Sequence, residues 1–208
     1  MTIRLLVLLV LAVLFLTPLS RVVIAALFGK SIGKAALSKQ PDNIQLTPTD
    51  PSKLRNAARV EAVAAEFRRA GFESAGLFII PEMPGLSLQL LANRSESMGV
   101  AIYDHPVVGV FFDVFSRYTD GGSCTHTTAP ATGLKRREDM RVFNCPGASP
   151  ATLLERTRRE RSSAGLKSCT TTTVGPEFVA AYAEQMAWMK QRGISRSEVV
   201  KVATRKVA

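Results

Sequence analysis

Apolar residues recur along this chain in three rhythms. The first is unbroken: LLVLLVLAVLFL fills residues 5–16, and after TPLSR a second run, VVIAALF, fills 22–28. The stretch 5–28 is 24 residues long, and about 20 apolar residues suffice for a helix to cross a bilayer. Pro18 and Arg21 interrupt it, but a basic residue near the end of a span can reach headgroup level. The pattern predicts an uncleaved single-pass anchor over 1–29. A cleaved signal peptide is the competing reading, because Val23-Ile24-Ala25 resembles a cleavage site. Residues 30–49 lack a sustained apolar period, and Gln40-Pro41-Asp42-Asn43 and Pro48 punctuate them, so they read as a linker.

The second rhythm is helical. Asp50-Pro51 is a good helix start. Ala57, Val60, Val63, Ala64 and Phe67 then share one face, and Gly71 stops the helix. The third rhythm has period two. SAGLFII at 74–80, LSLQLL at 86–91, MGVAIYD at 98–104 and VVGVFFDVFSRYT at 107–119 read as strands joined by short turns. Asp120-Gly121 reverses the last of these, and SCTHTTA returns. These elements predict an antiparallel meander of about five strands. MRVFNC reads as a short edge strand. Ser149-Pro150 opens a short basic helix, and LKSCTTTTV at 166–174 has strong β-propensity. Pro176 opens a helix to Gly193. Ser195 and Glu198 form a capping-box pattern for a last helix. The class is α+β: an N-terminal transmembrane helix, a linker, and a soluble domain over 50–208 with its sheet helix-covered on one face.

Charge sharpens this picture. The net charge is +10. Residues 1–40 contribute +5 with no acid, 41–149 are nearly neutral at −1, and 150–208 contribute +6. The basic ends suit anionic headgroups or nucleic acid. Lys30, Lys34 and Lys39 follow the apolar run, so the positive-inside rule places the domain in the cytoplasm, beneath a prokaryotic inner membrane. Three cysteines, Cys124, Cys145 and Cys169, form no disulfide framework.

The candidate chemistry is sparse. Cys124 and His126 share a strand face by pleat, but their spacing matches no structural zinc pair. A two-residue loop would set them opposite Arg117 and Phe115, on the face of Asp113. A three-residue loop would set them opposite Tyr118 and Ser116, on the apolar face. Asp113 is the odd polar residue of an apolar strand, with threonines expected as its partners across the hairpin. Asp113, Arg117, Cys124 and His126 are the candidate binding residues. Arg156, Arg158, Arg159 and Arg161 are the candidate contacts to a membrane surface or a protein. No glycine-rich phosphate loop, nucleophile elbow, HExxH or dinucleotide fingerprint is present, and no metal or cofactor is implied.

VGPEFVAAYAEQMAWMKQRGISRSEVVKVATRK resembles the ribbon-helix-helix family, in which a strand precedes two helices joined by a GISRSE-like turn. The resemblance implies a strand through Thr171 and Thr173 that pairs in a dimer and reads DNA from segment 174–207. Against it stand the lack of basic and amide residues in that strand and the ordinary capping role of SRSE. The preferred reading is an anchored, non-catalytic binding module at the membrane surface, with nucleic acid an unlikely partner. The alternatives are that DNA-binding segment and a thiol or metal enzyme using Cys124 and His126.

Overall fold

The computed structural model describes residues 18–205, with side-chain surroundings from residue 24 to 204. It is α+β, with five α-helices and one seven-stranded sheet among the described residues. Contacts divide the chain into two units. The larger holds 42–131 and 137–185; the smaller holds the described residues up to Pro41, 132–136 and those from Met186 on.

In the larger unit the strands lie in chain order: β1 (Thr47–Pro48), β2 (Glu73–Ile79), β3 (Ser87–Asn93), β4 (Met98–His105), β5 (Gly109–Arg117), β6 (Ser123–Thr127) and β7 (Met140–Asn144). Neighbours are antiparallel as far as β6, but β7 runs parallel to β6. The expected five-strand antiparallel meander is β2–β6, and the parallel edge strand β7 makes the whole sheet mixed. Residues 128–139 carry the chain back to the start of the sheet's last strand, and such a return is what parallel pairing requires.

Helix α2 (Ala57–Arg69) buries Val60, Val63, Ala64 and Phe67, the face its sequence period marks. It starts later than Asp50-Pro51 implies. Asp50 caps only a 3-10 turn, Pro51–Lys53, by accepting from the Ser52 amide at 2.7 Å. The backbone entering α2 is satisfied from β4: buried Asp104 accepts from the Arg55 amide at 2.7 Å, the Asn56 amide at 2.8 Å and Asn56 Nδ2 at 2.8 Å. With Leu153 and Leu154 of α3 (Pro150–Glu160), α2 covers Leu91, Met98, Val100, Ile102, Phe112 and Val114.

The opposite sheet face is not open. Leu88, Leu90, Ala92 and Ala101 lie under Val174, Phe178, Val179 and Tyr182 of α4 (Val174–Arg192). The expectation of helices on one face only is corrected. The central strands are apolar in both alternations, as Leu90-Leu91 and Val100-Ala101 show, and such strands demand cover on both sides.

LKSCTTTTV is not a strand beyond one bridge, Leu166 to Tyr118. Thr170–Thr173 form a turn that leads into α4. The Thr173 amide donates to Thr170 Oγ1 at 3.2 Å, the Thr170 amide to Thr173 Oγ1 at 3.0 Å, and the Val174 amide to the Thr170 carbonyl at 3.0 Å. Local hydroxyl bonds of this kind compete with extended backbone. The strand that the ribbon-helix-helix likeness required through Thr171 and Thr173 is thus absent.

In the smaller unit, α1 (Pro18–Ser38) runs on through the first part of the expected linker. It buries one strip, Ala25, Gly29, Gly33 and Leu37, four residues apart and so aligned along one face. A Cβ on Gly29 would stand 3.1 Å from Arg196 Cα, and one on Gly33 2.9 Å from Ile194 Cβ. Three of the four buried residues are glycine or alanine, so hydropathy registers this face only weakly. No helix among the described residues is long and apolar enough to cross a membrane. The run 5–16 lies outside them.

Helix α5 (Arg196–Arg205) begins with the expected capping box. Ser195 Oγ donates to Glu198 Oε2 at 2.7 Å, and the Glu198 amide donates to Ser195 Oγ at 3.3 Å. Glu198 does more than cap. It is 1% exposed, and its carboxylate also accepts from Arg192 Nη1 and Nη2 at 2.8 and 2.7 Å and from the Lys135 amide at 2.7 Å. The Arg192 hydrogen bonds hold its carboxyl far below the usual carboxylate range, against the cost of burial.

Candidate functional site

The hairpin loop between β5 and β6 has three residues, Thr119–Gly121, closed by the Tyr118 amide donating to the Gly122 carbonyl at 2.9 Å. Cys124 therefore pairs with Ser116, and His126 with Val114. Both lie on the apolar face, as a three-residue loop implies, one pair further along than Tyr118 and Ser116. This face meets α3, and it separates the four sheet candidates into two pairs.

Asp113 and Arg117 lie on the other face. Tyr103 Oη of β4 donates to Asp113 Oδ2 at 3.1 Å. Arg117 Nη1 donates to the Glu177 carbonyl of α4 at 2.8 Å, and Nη2 stands 3.6 Å from Glu184. Both side chains tie structural elements together.

Cys124 is fully buried, and burial pushes its thiol up. His126 is different: it is 1% exposed yet lines a cleft of about 390 Å³ between β7 and α3. Parallel register sets His126 beside Phe143, and the two rings stack with centroids 4.6 Å apart. Arg141 also lies over that phenyl ring, 5.4 Å from its centroid. Cys145 follows on the same face of the chain leaving β7, its amide donating to the Thr127 carbonyl at 2.7 Å. The cleft is also lined by Asn144, Arg156, Arg159 and Glu160.

The hydrogen bonds fix the imidazole. Thr157 Oγ1 donates its one hydrogen to the Leu153 carbonyl at 2.8 Å, so toward His126 Nδ1, 3.2 Å away, it can only accept. Nδ1 carries the proton, a tautomer assigned from the network, and Nε2 is left with its lone pair. Burial lowers the His126 pKa; Glu160 opposes this, and Arg156, Arg141 and Arg159 reinforce it. The lowered pKa favours the neutral ring, which is held among guanidinium groups.

The four arginines of the basic helix do not form one surface. Arg156 Nη1 donates to Cys145 Sγ at 3.2 Å. Arg158 pairs with Glu96. Arg161 donates to the Glu96 carbonyl and, at 3.1 Å, to Ser116 Oγ. Arg159, 67% exposed, meets Glu160 at 3.3 Å. Arg156 and Arg159 thus join His126, whereas Arg158 and Arg161 secure the turn after β3.

A second cleft, of about 670 Å³, lies within the smaller unit. Lys30, Lys34 and Leu37 of α1 and Lys190, Arg192 and Ile194 line it. The same helix exposes Leu27, Phe28 and Ile32. Arg192 stacks on Trp188, 4.8 Å from its ring, while clamping Glu198.

Among the described residues no three His, Cys, Asp or Glu side chains stand together as a metal site. Sequence reasoning missed Cys145, Thr157 and Glu160 as companions of His126. The available signal was MRVFNC followed closely by Ser149-Pro150, which delivers a helix onto the edge strand. No protein-family model, no curated protein and no solved structure matches this chain.

Proposed function

We propose that the chain is a single-pass, membrane-anchored α+β domain that acts as a non-catalytic binding module at an anionic bilayer surface. The observation that carries this reading is the lysine cleft. Lys30 and Lys34 of α1, the helix that exposes Leu27, Phe28 and Ile32, line one concavity with Lys190, which donates to the Gln40 carbonyl, and Arg192, which is paired with Glu198. Apolar side chains beside lysines suit the acyl–headgroup boundary, and each basic residue near an anionic surface adds about 1 kcal/mol of attraction. In this reading the anchor is the apolar stretch 5–28, whose first run 5–16 precedes the described residues. Lysines on its C-terminal side support a cytoplasmic domain beneath a prokaryotic inner membrane.

The test uses the full chain in bilayers. Alkaline carbonate washing should leave it in the membrane fraction. Trp188, the only tryptophan in the sequence, reports on the lysine cleft through Arg192. Its emission should change as phosphatidylglycerol replaces phosphatidylcholine, and Lys30→Gln with Lys34→Gln should weaken the response. Extraction by carbonate, or emission indifferent to lipid charge, contradicts the reading.

A further inference from the structure

The cleft between β7 and α3 lies in the other unit and has a different chemistry. We infer that it is a binding site for a phosphate monoester, selected by the fixed Nδ1–H tautomer of His126. The site is built from a nine-tenths-buried polar side chain. His126 is 1% exposed, stacked on Phe143 and bonded through Nδ1 to Thr157. Its second nitrogen, Nε2, is an acceptor on a residue lining the cleft.

The other cleft groups define the complement. Arg156 and Arg159 supply guanidinium donors for anionic oxygens. Glu160 and His126 Nε2 supply acceptors. An anion without a hydrogen leaves Nε2 facing oxygen lone pairs. A carboxylate or sulfate is such an anion at neutral pH. Inorganic phosphate carries an O–H in both of its ions near neutrality, and a monoester carries one in its singly ionised form, which gives way to the doubly ionised form above about pH 6. A protonated phosphate oxygen donates to Nε2 while its ionised oxygens accept from the arginines. Burial and the three neighbouring arginines, opposed by Glu160, lower the pKa of the ring and so favour its neutral form. Thr157 acts as a positioning residue: it holds the tautomer without touching the ligand.

Binding of inorganic phosphate and of sulfate to the full chain, measured by titration calorimetry at pH 6.5, tests this. Phosphate should bind at least about tenfold more tightly than sulfate, the worth of one hydrogen bond to a charged partner. His126→Phe keeps the stacked ring and removes the acceptor, and should bring the ratio close to one. Thr157→Val releases the tautomer and should shrink the ratio less. Glycerol phosphate and vesicles containing phosphatidic acid then compete with inorganic phosphate. Displacement by the first marks a soluble monoester, and by the second a lipid headgroup. Equal binding of phosphate and sulfate by the wild-type chain overturns the selection, as does a ratio unchanged in a folded His126→Phe variant. Absence of saturable binding by either anion overturns the site. Neither result bears on the lysine cleft, whose readout is lipid charge.

Discussion

The two units hold together by different means. The larger one buries apolar area: Val60, Phe67 and Leu153 cover one sheet face, and Val174, Phe178 and Tyr182 cover the other. The smaller one buries two glycines, one alanine and one leucine along α1, and relies on close backbone approach and one carboxylate, Glu198, with five donors around it. Loss in the first kind of region scales with the volume removed. In the second it depends on whether a particular polar group or a particular gap survives. The lesson is that hydropathy alone describes the first unit and is nearly blind to the second.

That contrast can be broken or sharpened by substitution. The largest effect is expected at Leu153→Ala, a fully buried side chain between α2, α3 and the sheet. It should cost about 3 kcal/mol, read as a fall in the urea midpoint at constant slope. Glu198→Gln comes next. Removing the charge from a buried, bidentate pair should cost about 2 kcal/mol, less than a fully buried pair because Arg192 is one-quarter exposed. Hydrogen exchange should localise that loss to residues 186–205 and leave β3 and β4 protected. Gly33→Val should cost about 1 kcal/mol by pushing Ile194 away, again in the smaller unit alone.

The smallest effect is a pH dependence in the larger unit. The folded-state pKa of His126 lies below its ordinary value, so the unfolded chain binds the proton more readily. Its contribution is therefore complete above about pH 6.5 and is lost as pH falls from there toward the folded-state pKa. Urea midpoints between pH 7 and pH 5 should fall in the wild type and fall less in His126→Phe. Glu96 and Glu198, whose pKa values are also lowered, titrate below this window and do not blur it.

How much of this was legible in the residues follows the same division. The periods of Val60-Val63-Ala64-Phe67 and of the four long strands are local, and they mark α2 and β2–β5 in the structure. The Asp120-Gly121 turn and the Ser195–Glu198 box are also local. Parallel pairing of β6 with β7 is not. It depends on where a twelve-residue return deposits Met140–Asn144, and no short-range pattern records that. Cys145, nineteen residues from His126 in the chain, lines the same cleft by that pairing alone. The threonines at 170–173 show a propensity overridden by hydroxyl bonding, and Gly29 and Gly33 form a buried face that carries no apolar signal. Cys124 and His126 share a face as the pleat requires, yet His126 lines the cleft while Cys124 is fully buried outside its lining.

The central claim is the state of one ring. Nitrogen-15 NMR of the histidine side chains distinguishes a protonated from an unprotonated ring nitrogen directly. For His126 at pH 7 we expect Nδ1 protonated and Nε2 not, with the Nε2 resonance moving when inorganic phosphate is added and remaining still with sulfate. A protonated Nε2 in the free protein, or an Nε2 resonance indifferent to phosphate, would contradict the account.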